Sequence, residues 1–257
     1  MGRIKTKEEI EILREGGSRL SVILSKVAEM VKPGITTEDL DAYAERLIRE
    51  GGDKPAFLYY KPDFSHKHFP SSLCVSVNDE VVHGIPGKRV LEEGDIVGLD
   101  LGLAHKDLYT DMALTVAVGK VDDTSLKLMD VTKQSLASTL MVVRDGARLG
   151  DIGAAVEGVV GPSGFGIVHE LGGHGVGHAI HEPPFIAHFG TAGKGEKLET
   201  GMVIAIEPMI NTGSSEVNFD TGDGYTVRTS DGSRSAHFEV TLAVTQNGAE
   251  VLTPIFW

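Results

Sequence analysis

The chain has 257 residues, with 24 Lys and Arg against 37 Asp and Glu, and its formal net charge of −13 at pH 7 argues against nonspecific binding to nucleic acid or anionic membranes. Hydrophobic residues at 41% and charged residues at 24% describe an ordinary globular protein with room for a substantial core. A single cysteine, Cys74, excludes an internal disulfide, and no apolar run reaches the roughly 18 residues of a bilayer span, so the expected location is the cytoplasm.

In chain order, the opening Met1-Gly2 matches a loose lipidation pattern, but a helical pattern follows directly and weighs against it. Ile10, Leu13, Leu20, Ile23, Leu24, Val27 and Met30 recur at helical spacing, predicting an amphipathic helix from Lys7 to about Val31 that Gly16 and Gly17 would loosen. Pro33-Gly34 ends it. Thr36 and Asp39 resemble a capping box opening a second helix through Glu50. Residues 53–72 read as a partly ordered loop with a short strand near Phe57 to Tyr60, followed by strands at Leu73–Val77 and Glu80–His83 around the turn Asn78-Asp79. Strands are predicted at Ile96–Leu103 and Tyr109–Val118, and helices at Asp123–Val143 and Leu149–Val160. From Gly164 onward the chain reads as strands and turns, clearest at Val203–Ile210, Tyr225–Thr229 and His237–Thr245.

Two stretches recur in the same order. Val31–Glu45 aligns with Val143–Glu157, and Leu91–Asp100 aligns with Leu198–Glu207. The echo implies one α+β domain over residues 1–257 built from two similar halves, roughly 1–120 and 121–257, with Asp100 and Glu207 in equivalent places.

The segment Gly172-Gly-His-Gly-Val-Gly-His-Ala-Ile-His181 gathers three imidazoles and four glycines, which reads either as a site or as a Gly-rich surface turn with solvated histidines. Asp100 and Asp111 lie on successive β runs. If the hairpin turns about His105-Lys106, they are directly opposite, with Cβ atoms roughly 4.5 to 5.5 Å apart. The plainer alternative has Asp111 capping a turn and Asp100 facing water. Glu207 and Glu239 interrupt further apolar strands, and four such acids are costly unless neutralised. With His174 they form a carboxylate and imidazole set suited to two divalent ions about 3.5 to 4 Å apart, of Co, Mn, Fe or Zn type.

These residues, with Val77-Asn-Asp-Glu-Val-Val-His-Gly-Ile-Pro86, His181-Glu-Pro-Pro, Ile206-Glu-Pro-Met209 and Ser235-Ala-His-Phe-Glu239, resemble the type I methionine aminopeptidases of the pita-bread metallopeptidases. The resemblance implies a curved antiparallel sheet covered by helices, and removal of N-terminal methionine before a small second residue. It implies Asp100, Asp111, His174, Glu207 and Glu239 as metal ligands, with Asp111 and Glu239 bridging. Glu207 would act as the base, and His83 and His181 as catalytic histidines in contact with substrate. Leu171, Ile180 and Tyr225 depart from the larger residue, the aromatic and the Trp common in that family. With Cys74 and Tyr59 or Tyr60 they are expected to line or flank the methionine pocket. His66, His68, His178 and His188 receive no role. The implied partners are nascent polypeptide N-termini, at the ribosome, met by a monomer without direct nucleic-acid or membrane contact. The alternatives are a proline-specific relative of the prolidase or aminopeptidase P kind, which usually carries an extra N-terminal domain, and a non-catalytic pita-bread binding protein.

Overall fold

The computed structural model describes residues 4–62 and 67–254. His66 and the Met1-Gly2 lipidation pattern lie outside the described residues. Among the described residues four α-helices form: α1 (Lys7–Glu29), α2 (Thr37–Glu50), α3 (Asp123–Leu140) and α4 (Leu149–Val160). Capping fixes the starts of the first two. Thr6 Oγ1 accepts from Glu9 N while Thr6 N donates to the Glu9 carboxylate, and Thr36 and Asp39 repeat the exchange. Gly16 and Gly17 do not loosen α1. They let it press on the sheet, since a Cβ at Gly17 would lie 2.2 Å from the Leu252 carbonyl oxygen.

Among the described residues the main sheet has nine antiparallel strands. Its path runs Lys54–Pro55, Ile96–His105, Leu108–Ala117, Glu239–Val244, Val203–Ile206, Gly173–Gly175, Glu182–Ile186, with Leu73–Val77 and Ala249–Val251 added beside it. The strand expected near Phe57 to Tyr60 is instead the short pairing at Lys54–Pro55, and 57–60 is a turn. Alternation decides what each face carries. Leu99, Leu101 and Leu103 join Met112, Leu114, Val240, Leu242, Ile204 and Ile206 in one core with Leu20, Leu24, Leu40, Leu128, Leu136 and Ile152 of the helices. Successive side chains in a strand point to opposite faces, so Asp100, Asp111 and Glu239 belong to the face away from that core.

The hairpin register differs from the sequence expectation. Lys106 and Asp107 both have positive φ, 49° and 61°, and together make the two-residue turn between His105 and Leu108. Asp100 therefore pairs with Ala113, and Asp111 with Gly102. The two aspartates are diagonal neighbours rather than opposite ones, still on one face because the offset is an even number of residues.

Two expected long strands are broken. Val203–Ile206 stays in the main sheet, whereas Met209–Asn211 pairs with Ser235–His237 in a three-stranded sheet. Pro208, which lacks an N–H, sits at the first break, and Phe238 at the second. Glu207 and Glu239 thus stand where the chain passes between sheets, Glu207 just past the strand that borders Glu239's own. Tyr225 lies outside the strand expected over it, which is confined to Val227–Thr229.

Candidate metal centre and substrate pocket

Asp100, Asp111 and Glu239 present carboxylate oxygens within 4.8 Å of one another, and His174, Glu207 and Glu239 do the same with one ligand atom each. His174 connects these groups. Its Nδ1 is 2.9 Å from the Gly175 carbonyl, so Nδ1 carries the proton and donates, leaving Nε2 as a lone pair. That nitrogen lies 3.4 Å from Glu207 Oε1, 3.8 Å from Asp111 Oδ2 and 3.9 Å from Glu239 Oε1. Burial pushes the imidazole down to about 4, which keeps it neutral.

A lone pair facing three carboxylates is a repulsive arrangement, and the acids register it. Burial, with opposing hydrogen-bond contributions from Met112 N–H and Asp100, raises Asp111 to about 7. Burial, then the charge of Asp111 and a hydrogen bond to it, raises Asp100 well above the usual carboxylate range. Burial followed by the neighbouring carboxylates does the same to Glu207 and Glu239. Asp100 Oδ1 and Glu239 Oε1 are buried without a hydrogen-bond partner among the described residues. Orphaned acceptors, a neutral nitrogen and four crowded acids together fit a divalent cation, which supplies the missing positive charge.

Neighbouring groups aim the carboxylates. Thr241 Oγ1 accepts from Asp111 N and donates to Asp111 O, fixing the backbone behind that side chain. His188, given no role by the sequence, accepts the Glu207 N–H at Nε2, 3.1 Å away. His237, overlooked although it lies within Ser235-Ala-His-Phe-Glu239, places Nε2 3.5 Å from Glu207 Oε2. Its position two residues before Glu239 was the available signal.

The acids form the floor of a cavity of about 320 Å³. Phe57, Tyr60, Phe69, Cys74 and Tyr225 form an apolar wall, with Val82, His83, Leu171, His181, Phe185 and Met209 completing it. Cys74 is buried and pairs directly with Asp100 across the sheet, so its placement in the wall follows from register. His83 has a positive φ of 60°, and burial followed by the charge of His174 lowers it to about 4. His181 also faces the cavity, its ring 4.4 Å from that of His174. Two of the residues expected to line or flank the pocket are not in its lining. Tyr59 points outward, 71% exposed, because its own φ of 64° turns the chain there. Ile180 is buried behind the wall in a cluster with Phe57, Phe69 and Tyr225. Phe57, Phe69 and Met209 are lining residues that the sequence reading missed.

The glycines of the Gly172–His181 segment allow close packing. A Cβ at Gly173 would lie 2.3 Å from Ala205 O and one at Gly175 2.2 Å from Pro183 O, so they permit close strand packing. Gly177, at φ 136°, leaves room for the Lys5 side chain, which forms a buried ion pair with Glu182. His178 hydrogen-bonds Glu9 at 2.6 Å, tying the same segment to α1, and His68 Nδ1 contacts the Tyr59 carbonyl.

The sequence matches metallopeptidase family M24 over residues 11–246. The chain belongs to that family, on its methionine aminopeptidase branch. It is 43% identical to methionine aminopeptidase 1 of Bacillus subtilis over 98% of each chain. A crystal structure of methionine aminopeptidase from Rickettsia prowazekii superposes with a TM-score of 0.95 at 36% identity, covering 99% of this chain and 100% of that one. The fold is the pita-bread fold, and the M24 chain is a metal-using hydrolase. Prolidase from Pyrococcus horikoshii shares the fold alone, at 21% identity and a TM-score of 0.77, with 98% of this chain covering 64% of that protein. No helix among the described residues is long and apolar enough to cross a membrane.

Proposed function

We infer that the protein removes the N-terminal methionine from nascent polypeptides and peptides whose second residue is small, by metal-assisted hydrolysis. The observation that carries this is the His174 Nε2 lone pair turned toward Glu207, Asp111 and Glu239 on the floor of an apolar-walled cavity. Likeness over nearly the whole chain to methionine aminopeptidases favours this reading over a proline-specific peptidase.

Asp100, Asp111, His174, Glu207 and Glu239 would hold two divalent ions, of Mn, Fe, Co or Zn type. When bound, the metal would lower the pKa of a water toward about 7 and offer a Lewis-acid contact to the peptide carbonyl. Glu207, at the edge of the cluster and lining the cavity, receives the proton of the attacking water. His181 and His83 are neutral and face the same cavity, and each can donate one ring N–H to the carbonyl oxygen or to the departing amide. Phe57, Phe69, Cys74 and Tyr225 receive the methionine side chain, whose polarizable thioether suits an aromatic wall. The enzyme acts as a single catalytic domain of two similar halves, a monomer in the cytoplasm, on chains emerging from the ribosome.

The test is a peptide series with metal-reconstituted protein. Release of Met from Met-Gly and Met-Ala peptides, with Met-Lys and Met-Leu peptides left intact, is the expected result. Release of any first residue from Xaa-Pro peptides without preference for Met contradicts it.

A further inference from the structure

Tyr60 stands where the apolar wall meets the acid floor, and its hydroxyl lies 3.0 Å from His181 Nδ1. The two rings are tilted, with centroids 5.2 Å apart, and His181 meets His174 edge-on at 4.4 Å. The backbone of Tyr60 is held at both ends: its N–H donates to Phe57 O and its carbonyl accepts from Phe69 N, both at 2.8 Å. His181 Nε2 makes no hydrogen bond to a described residue. We propose that Tyr60 is a positioning residue for His181, its phenol O–H donating to Nδ1 and so placing the ring's single proton on Nε2.

The direction of that hydrogen bond follows from chemistry. A phenol oxygen gives up lone-pair density to its ring and is a better donor than acceptor, whereas the unprotonated nitrogen of a neutral imidazole is a strong acceptor. One ring nitrogen of His181 lies within 4.8 Å of ligand atoms of Asp111 and His174. The opposite tautomer would turn the Nε2 lone pair toward a cavity already lined by Asp100, Asp111, Glu207 and Glu239. With Nε2–H fixed, the ring offers a donor to a carbonyl oxygen as it gains negative charge. With the proton on Nδ1, it would offer a lone pair and oppose that charge. This rests on the peptidase reading of the site, because only there does a donor at His181 matter to the rate.

Tyr60→Phe removes the hydroxyl alone. On a Met-Ala-Ser peptide, kcat should fall roughly tenfold with KM within about twofold, since the donor is weakened rather than deleted. Metal affinity by calorimetry should be unchanged. Nitrogen–proton correlation spectra of the zinc-loaded protein should show His181 as the Nε2–H tautomer before substitution and as a tautomer mixture after it. In a His181→Ala background the same change should cost nothing further. An unaltered kcat, a rise in KM alone, or an unaltered His181 spectrum overturns the proposal. Should the parent protein leave Met-Ala-Ser intact, the peptidase reading fails, while the spectra still decide the part played by Tyr60.

Discussion

Glu239→Gln should move stability in opposite directions depending on metal. Glu239 is buried at 2% exposure among Asp100, Asp111 and Glu207, and its ligand oxygen lies within 4.8 Å of those of the two aspartates. Two unit charges at that distance repel by about 3 kcal/mol at an effective dielectric of ~20. Protonation of the raised acids relieves part of this, so replacing one of them with a neutral isostere should stabilise the metal-free protein by about 1 to 3 kcal/mol at pH 8. For a chain of this size each kcal/mol is roughly 2 to 4 °C in Tm, giving a rise of about 2 to 12 °C. The gain should shrink as pH falls through about 7, where Asp111 takes up a proton and the repulsion is already removed. With saturating Mn the order should reverse, because the variant has lost a ligand and with it part of the stabilisation that binding confers. Thermal melts at pH 8 in chelator and in metal read both arms. A variant destabilised equally in the two conditions would refute the reasoning, for Glu239 would then be an ordinary buried side chain.

Metal binding should release protons. Below about pH 7 Asp111 is protonated in the metal-free state and must ionise to ligate, while His174, held near 4, has no proton to lose from Nε2. Affinity should therefore rise with pH from 6 to 8, about tenfold per unit for each proton displaced, and calorimetry in buffers of different ionisation enthalpy counts those protons; none at pH 6.5 contradicts the electrostatic picture. Lys5→Met leaves the Glu182 carboxylate buried without its ion-pair partner, a loss of about 3 to 5 kcal/mol. Adding Glu182→Gln should restore most of it, and chemical unfolding of the single and double variants compares them; a single variant within about 1 kcal/mol of the parent denies the pair that weight.

Much of the site was legible because its residues break local rules. Acids inside apolar strands and glycines crowded around histidines stand out against any periodicity, and His174, Asp100, Asp111, Glu207 and Glu239 do meet in space. The hairpin register was not legible, since Lys106-Asp107 lacks the Gly or Asn that normally marks a two-residue turn with positive φ. The pocket wall was only half legible. Tyr59 and Tyr60 are adjacent aromatics, and only the turn at Tyr59 sends one to solvent and the other to His181. His188, just past the strand Glu182–Ile186, accepts the Glu207 N–H from a segment that no spacing ties to it, whereas His237 had only its nearness to Glu239 to mark it.

The measurement closest to the central claim is a metal titration of stripped protein, followed by release of Met from a Met-Ala-Ser peptide and by metal content in the same samples. Stripped protein should show no activity, activity should recover as ions bind, and Glu239→Ala should lose both bound metal and recovery. Full activity without metal, or full metal content and activity in Glu239→Ala, would contradict it.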